Sequence, residues 1–155
     1  MTVLNQWVHL VCTWDGQLAG SGQFSANGLH LYRDGTEITN VYSQQDGAIP
    51  RQDDSSFVFV IGNRGGDFIR PFNGEIAQVA IYNKVLTEQE RLQLGRSWRG
   101  RMPLQVAPDS LRGYWPMDGN GVALVGAGEI QDLSSYRAHG LPRNSPLGTA
   151  GPFAP

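Results

Sequence analysis

The residues best suited to chemistry in this sequence are acidic and amide side chains that stand in turn-like stretches. Asp53 and Asp54 form the only adjacent acidic pair in a loop. Carboxylate oxygens are ligands that a hard cation such as Ca²⁺ prefers, so this pair is the candidate metal site. Asp15 and Asp34 each precede a glycine, and a turn explains both of them fully. The other loop oxygens of this kind belong to Asp46, Asn63, Asp67 and Asp118.

Nucleophilic and transition-metal chemistry finds no supporting pattern in the sequence. Cys12 is the only cysteine, so no intrachain disulfide can form, and its apolar surroundings predict a buried small hydrophobe. No serine stands in G-x-S-x-G, and the glycine-rich stretch 119–128 matches neither G-x-G-x-x-G nor a P-loop. The histidines lack metal-ligand spacings such as H-x-x-x-H, and we expect structural roles for all three: His9, His30 and His139.

Sugar binding would require exposed aromatic rings with polar side chains beside them. Four aromatic residues are candidates for such a ligand-binding role: Tyr42, Trp98, Trp115 and Tyr136. Trp98 and Trp115 fit equally well as buried anchors that join neighbouring segments of the chain. For these two tryptophans the sequence favours the interior role over the sugar platform.

The composition argues against two broad classes of partner. The formal net charge is -2 and the sequence has no run of Lys or Arg, so no nucleic acid partner is expected. No stretch approaches the ~20 apolar residues of a membrane span, which predicts no membrane insertion. The first residues lack a basic start followed by an apolar block, so no signal peptide is expected. A length of 155 residues suits one domain with a real core.

Strand and turn signals dominate the elements that must position these side chains. The first apolar run ends at Asp15-Gly16, and Asp34-Gly35 separates two strand-like runs. An Asp-Gly pair supplies the positive φ values that a two-residue hairpin turn requires. Apolar and alternating runs of strand length recur along the first half of the chain. The predicted strands are residues 7–14, 29–33, 36–39, 57–61 and 75–82.

One short helix is well marked, near residues 88–94. Thr87 is a natural N-cap, and Glu90 follows three residues later to complete a capping box. Gly95 is a natural stop after the last turn. Several short strands between Gly, Asp and Asn turns, together with one helix, predict an antiparallel β-sandwich.

Three segments in series resemble the laminin-G-like and pentraxin-like domains of the concanavalin A-like superfamily. Trp7-Val-His9 with Thr13-Trp-Asp-Gly16 is similar to the family's W-x-H…T-x-D-G strand. Leu31-Tyr-Arg-Asp-Gly35 is similar to its L-Y-x-D-G hairpin. The stretch from Phe72-Asn-Gly74 to Thr87-x-x-Glu90 resembles its closing segment. The resemblance implies an all-β fold, an antiparallel jelly-roll β-sandwich with one short helix near 88–94.

The part of the chain after the helix is similar to the opening of such domains, whose usual first half is not found before Trp7. The similar stretches are Trp115-Pro-Met-Asp118, Asp132-Leu-Ser134 and Ala138-His-Gly140. Two explanations fit this order. A circular permutation would let residues 111–141 supply strands that pair beside 7–14. Alternatively, a half-sandwich would have its exposed edges completed by another subunit, which predicts an oligomer.

The expected organisation therefore has four parts. Residues 1–99 form the laminin-G-like core, and residues 100–108, with two prolines, form a linker. Residues 109–141 supply the strands that resemble the domain opening, packed on the same sandwich. Residues 142–155 form a proline-rich C-terminal arm.

The resemblance also bears on catalysis and on calcium. Glucanases of this fold need two carboxylates on one strand face, in a pattern of the type E-x-D-x-x-E. Ala77 and Ala80 stand where the second and third acids would be, so no enzyme activity is expected. Family members often bind calcium, but their frequent acidic pair is replaced here by Ala77-Gln78. No cofactor is expected, and calcium at Asp53 and Asp54 stays open as the alternative.

Proteins with this closing segment followed by Trp-Pro are similar to ones encoded by tailed phages and by bacteria with large surface proteins. The resemblance implies a virion or cell-surface location. We expect a structural protein that coats or decorates such an assembly through β-edge and arm contacts with protein partners, as a homo-oligomer. The alternative is a lectin-like adhesion module that binds a glycan, with or without calcium.

Overall fold

A computed structural model describes residues 6–15, 18–19, 23–24, 29–38, 58–63, 70–95, 102–117, 124–125 and 129–142. Strands in these ranges pair only in antiparallel ladders, with the sheet orders β1-β4-β5, β2-β3, β6-β7 and β8-β9. One short α-helix accompanies them, which confirms the predicted class. The elements are β1 (Leu10–Trp14), β2 (Leu18–Ala19), β3 (Gln23–Phe24), β4 (Leu29–Arg33), β5 (Thr36–Glu37), β6 (Val79–Tyr82), α1 (Glu88–Gly95), β7 (Leu111–Trp115), β8 (Leu124–Val125) and β9 (Glu129–Ile130).

The hairpin between β4 and β5 forms at Asp34-Gly35, as predicted. Asp34 has φ 50 and Gly35 has φ 85, the left-handed values that this tight turn requires. Asp34 also holds the neighbouring strand, because its N–H donates to the carbonyl of His9 at 2.9 Å. The His9 N–H in turn donates to Asp34 Oδ1 at 2.9 Å. The turn residue therefore fixes the start of β1 as well as the hairpin.

The two faces of β1 lie in different environments. Val11 lies beside Tyr32 on one face, and the guanidinium carbon of Arg91 in α1 stands 4.0 Å from the centre of the Tyr32 ring. The helix thus covers this face, and Thr13 on the same face is buried. The prediction that Cys12 is buried is wrong, because Cys12 lies on the opposite face and is exposed.

Two predicted strands are corrected by local backbone geometry. The segment 75–82 becomes a strand only at Val79, because Gln78 adopts φ 54 and donates its N–H to the carbonyl of Pro116 at 2.6 Å. The apolar run 57–61 is not a strand over residues 58–61, the portion that the structure describes. The chain bends just after it, where Gly62 has φ 77 and accepts the Phe72 N–H at 2.7 Å.

Helix α1 begins at the predicted capping box. The Glu90 N–H donates to Thr87 Oγ1 at 3.3 Å, and the Thr87 N–H donates to Glu90 Oε2 at 2.8 Å. Lys84 Nζ donates to the other carboxylate oxygen of Glu90 at 2.7 Å. The helix packs against the β4–β5 turn so closely that a side chain at Gly35 would come within 2.9 Å of Leu92.

The residues predicted as a linker are packed in their described part. Residues 102–110 form two 3₁₀ turns, Pro103–Gln105 and Pro108–Ser110, with Val106 buried between them. The Tyr82 hydroxyl donates to the carbonyl of Pro103 at 3.2 Å. Burial raises the pKa of Tyr82 to about 12. This segment therefore leads into β7 and also contributes to a core formed by Leu86, Leu94 and Val106 together with Tyr82 and Ala107.

Strand β7 pairs with β6, whereas β1 pairs with β4 in the described sheets. This differs from the first of the two explanations, the circular permutation in which residues 111–141 supply strands that pair beside residues 7–14. Two backbone hydrogen bonds beyond the strands hold the observed pair: Gln78 N–H to Pro116 O at 2.6 Å and Asn83 N–H to Ser110 O at 3.0 Å. The segment that resembles a domain opening thus adds a strand to the closing segment. The four-part division of the chain stays a prediction.

Candidate binding surface

Four of the six predicted site residues lie outside the described residues: Tyr42, Asp53, Asp54 and Trp98. The other two, Trp115 and Tyr136, are described and have different surroundings. Trp115 is 7% exposed, and its indole N–H donates to the carbonyl of Ala138 at 3.0 Å. Its ring stacks against Phe59 with 5.7 Å between the ring centroids. These are the surroundings of an interior anchor, the alternative that the sequence favoured for this tryptophan.

Tyr136 is 56% exposed and lies at the end of a series of hydrogen-bonded polar side chains. Its hydroxyl accepts a hydrogen bond from Arg112 Nη1, and the guanidinium carbon stands 4.9 Å from its ring centre. When the Asn83 amide is oriented so that both its NH₂ group and its oxygen have hydrogen-bond partners, the oxygen accepts a hydrogen bond from Arg112 Nε at 3.1 Å. We call Tyr136, Arg112 and Asn83 the Tyr136 surface.

The carboxylate of Asp132 organises the segment that carries Tyr136. Asp132 is 1% exposed, and its Oδ1 accepts the N–H groups of Tyr114 and Ser134, each at 2.8 Å. Its Oδ2 accepts the Ser134 hydroxyl and the Ala138 N–H, also at 2.8 Å. Four donors thus converge on one buried carboxylate, which fixes the loop against β7. Because three of them come from residues 134–138, the same bonds hold Tyr136 in place.

The ionised form of the Asp132 carboxyl is favoured even though this side chain is buried. Burial alone raises the pKa of the Asp132 carboxyl, but the hydrogen bonds from Tyr114, Ser134 and Ala138 outweigh it, so the pKa lies below its usual value. The sequence carried a signal for this residue in the Asp132-x-Ser134 pattern. That pattern did not reveal the role of Asp132, because the donor that ties it to the sheet is Tyr114, 18 residues earlier.

Two histidines of the described segments, His30 and His139, have local side-chain partners. The Asp132 N–H donates to His139 Nδ1 at 3.1 Å, and His30 Nδ1 lies 2.6 Å from Glu37 Oε1. Burial lowers the pKa of His9, although Asp34 opposes this effect. No group of three or more His, Cys, Asp or Glu side chains that could hold a metal ion occurs within the described ranges. No helix in those ranges is long and apolar enough to cross a membrane.

Among the strands that the structure describes, β1 forms the outer edge of the sheet β1-β4-β5. The bond from Asp34 N–H to His9 O means that His9, Val11 and Thr13 direct their backbone groups toward β4. The N–H and C=O groups of Leu10 and Cys12 therefore point away from the sheet. Nothing in the described part of the chain hydrogen-bonds to these groups. Leu10 is also 70% exposed, and Cys12 on the same face is exposed.

A family model matches residues 1–90, more than half of the chain. The chain belongs to the concanavalin A-like lectin/glucanase superfamily, whose laminin-G-like domains are generally non-catalytic, lectin-like binding modules. The model that matches is of the laminin-G type, which confirms the family and the jelly-roll class that the motifs indicated. The match ends within α1 and does not include β7. A comparison with curated proteins gave no match, and neither did a comparison with solved structures.

Proposed function

We propose that this protein is a non-catalytic structural module that attaches to a surface assembly, a phage virion or a bacterial cell surface, through the edge of β1. The observation that carries the proposal is the outward N–H and C=O groups of Leu10 and Cys12, beside an exposed Leu10 side chain. A strand from another chain can add to such an edge through main-chain hydrogen bonds, and side chains on the same face then give specificity.

The free energies available at the β1 edge favour binding of a partner strand. Each main-chain hydrogen bond across the edge contributes about 0.5–1.5 kcal/mol net. Covering the Leu10 side chain adds roughly 1.5–3 kcal/mol. Edge strands that must stay free carry charged side chains, prolines or bulges. Residues 10–14 of β1 have no charge and no proline, and their register against β4 is continuous.

The non-catalytic part of the proposal is supported by the strand that would carry the acids of a glucanase. Ala77 and Ala80 occupy its second and third acidic positions, and two carboxylates are needed for acid and nucleophile work. The left-handed backbone at Gln78 also interrupts this strand between them, so residues 75–80 do not form one regular face.

Attachment is tested by incubating purified protein with intact virions and cells of the encoding organism and measuring the fraction that sediments with them. Leu10→Lys places a charge on the edge and is expected to reduce sedimentation at least tenfold. Leu141→Lys is the matched control, since Leu141 is 74% exposed and lies far along the chain from β1. Wild-type protein that sediments with neither virions nor cells would contradict the proposal.

A second candidate function, glycan binding, is favoured by the Tyr136 surface. It offers an exposed aromatic ring for stacking, with a guanidinium group and an amide beside it. Calcium at Asp53 and Asp54 is the accompanying metal proposal. A glycan array probed with and without calcium tests both ideas. Tyr136→Ala should abolish any signal, whereas Phe72→Ala, at another exposed aromatic residue, should preserve it. A blank array in both conditions removes this candidate.

A further inference from the structure

The outward groups of β1 are complementary to themselves under a two-fold axis. Leu10 and Cys12 are two residues apart, and each presents one N–H and one C=O to the outside. An antiparallel strand that carries the same two residues in reverse order can pair with both of them. A two-fold axis midway between the Val11 residues of the two copies sets Leu10 opposite Cys12 of the second copy, and Cys12 opposite Leu10 of the second copy. Each such pair exchanges two hydrogen bonds, so four form in all.

We infer that the partner at the β1 edge is a second copy of this chain, paired antiparallel about Val11. This inference rests on the proposed use of the β1 edge for attachment: in solution a second copy covers this edge, and a strand of the surface assembly takes the place of that copy on attachment. The resulting dimer joins two copies of the sheet β1-β4-β5 into one continuous sheet, with six strands from the described residues. Such an interface is isologous, with the same surface patch used by both copies.

The side chains of the edge fit this arrangement. Leu10 and Cys12 project from the same face and are both exposed, so each large side chain meets a small one across the axis. Because β1 has no charged side chain, two copies bring no like charges directly opposite one another. Arg33, which lies opposite Leu10 on β4, has its own counter-charge, with Nε 3.7 Å from Asp34 Oδ2. A partner strand rich in acidic or basic residues would find no complementary charge on β1.

The single cysteine supplies a direct test without mutation. In the inferred register, the two Cys12 residues are diagonal neighbours, about 7–8 Å apart across the axis. This distance exceeds the usual Cα separation of a disulfide, about 4.4–6.8 Å, so a short bismaleimide should link the copies better than oxidation does. The expected product is a covalent dimer in high yield at protein concentrations where sedimentation velocity shows a dimer. Absence of the cross-linked dimer at those concentrations overturns the register.

Sedimentation velocity from micromolar to millimolar concentration tests the dimer itself. Wild-type protein should dimerise reversibly. Leu10→Lys should raise the dissociation constant at least about tenfold, the effect of losing roughly 1.4 kcal/mol at the interface. Leu141→Lys should leave it unchanged, and equal circular dichroism spectra of the two variants show that both fold. Equal weakening by both variants overturns the inference.

The outcome also separates this inference from the proposed function. Wild-type protein that remains monomeric up to millimolar concentration, yet sediments with virions or cells, overturns the dimer and leaves surface attachment standing. Protein that dimerises through β1 but attaches to neither supports the inference and overturns the attachment.

Discussion

The carboxylate of Asp132 accepts the backbone N–H of Tyr114 at 2.8 Å, across 18 residues of sequence. Tyr114 is fully buried in β7, the strand that pairs with β6. The Leu133 N–H adds a second link, since it donates to the Tyr114 carbonyl at 2.8 Å. The loop that holds Tyr136 is thus tied to the same strand that extends the matched part of the chain.

Asp132→Asn should lower the free energy of unfolding by about 2–4 kcal/mol. An amide keeps one acceptor oxygen, but its NH₂ group faces donors that had bonded to a carboxylate oxygen, and buried donors without acceptors are costly. Urea unfolding measures the change. Asp109→Asn is the matched control, because Asp109 is exposed, and it should change stability by less than about 0.5 kcal/mol. Similar losses in the two variants would contradict a special role for Asp132.

The stability contributed by Asp132 should depend on pH in the acid range. Its pKa is lower in the folded chain than in the unfolded chain, where it is about 3.9. The contribution is therefore complete above that unfolded value and is lost as pH falls toward the folded pKa. Unfolding free energy measured from pH 6 to pH 2 should fall less steeply in Asp132→Asn than in wild-type protein. Parallel profiles would show that other carboxyl groups, such as Glu90, account for the acid sensitivity.

Gly113→Ala should disturb the packing of Trp115. A methyl group at Gly113 would overlap the Trp115 ring, which lies directly over this glycine. Displacing a buried tryptophan ring from a filled interior costs about 1–3 kcal/mol. Gly140→Ala is the control, since its added methyl group would stand 3.7 Å from Ile130 in ordinary contact. That variant should stay within about 1 kcal/mol of wild type, as thermal melts and near-UV circular dichroism can show. Unchanged melting of Gly113→Ala would contradict the close contact.

Local sequence signals predicted the hairpin and the helix. The Asp34-Gly35 turn depends only on the backbone angles of these two residues. The capping box of Thr87 and Glu90 forms without contacts from distant residues. Such features depend on neighbours in the chain, so a single sequence is enough to identify them. The family motifs then supplied the sandwich class, which the match over residues 1–90 confirms.

Features that depend on distant partners could not be predicted in the same way. Strand β6 starts late because the Gln78 N–H bonds to Pro116, nearly forty positions further on. The exposure of Cys12 depends on which face of β1 meets α1, and both faces have apolar residues in the sequence. The role of Asp132 required knowledge that Tyr114 stands beside it.

Thr87→Ala tests the contribution of the capping box to the helix. The substitution removes the side-chain acceptor of the Glu90 N–H and should destabilise the protein by about 1 kcal/mol. It should also raise the pKa of Glu90, which hydrogen bonds from Lys84 and Thr87 hold below its usual value. Urea unfolding gives the first quantity, and an NMR titration of the Glu90 carboxyl gives the second. Gln89→Ala, at an exposed position of the same helix, should change neither.

Hydrogen exchange at four consecutive amides of β1 tests the central claim most directly. The N–H groups of Val11 and Thr13 bond to β4, whereas those of Leu10 and Cys12 point outward from the sheet edge. In dilute protein, the amides of Leu10 and Cys12 should exchange rapidly and those of Val11 and Thr13 slowly. On addition of virions or cells that bind the protein, or at high protein concentration, the outward pair should slow at least about tenfold. The claim is contradicted if Leu10 and Cys12 are as protected as Val11 and Thr13 in dilute protein, or if their exchange stays fast in the bound state.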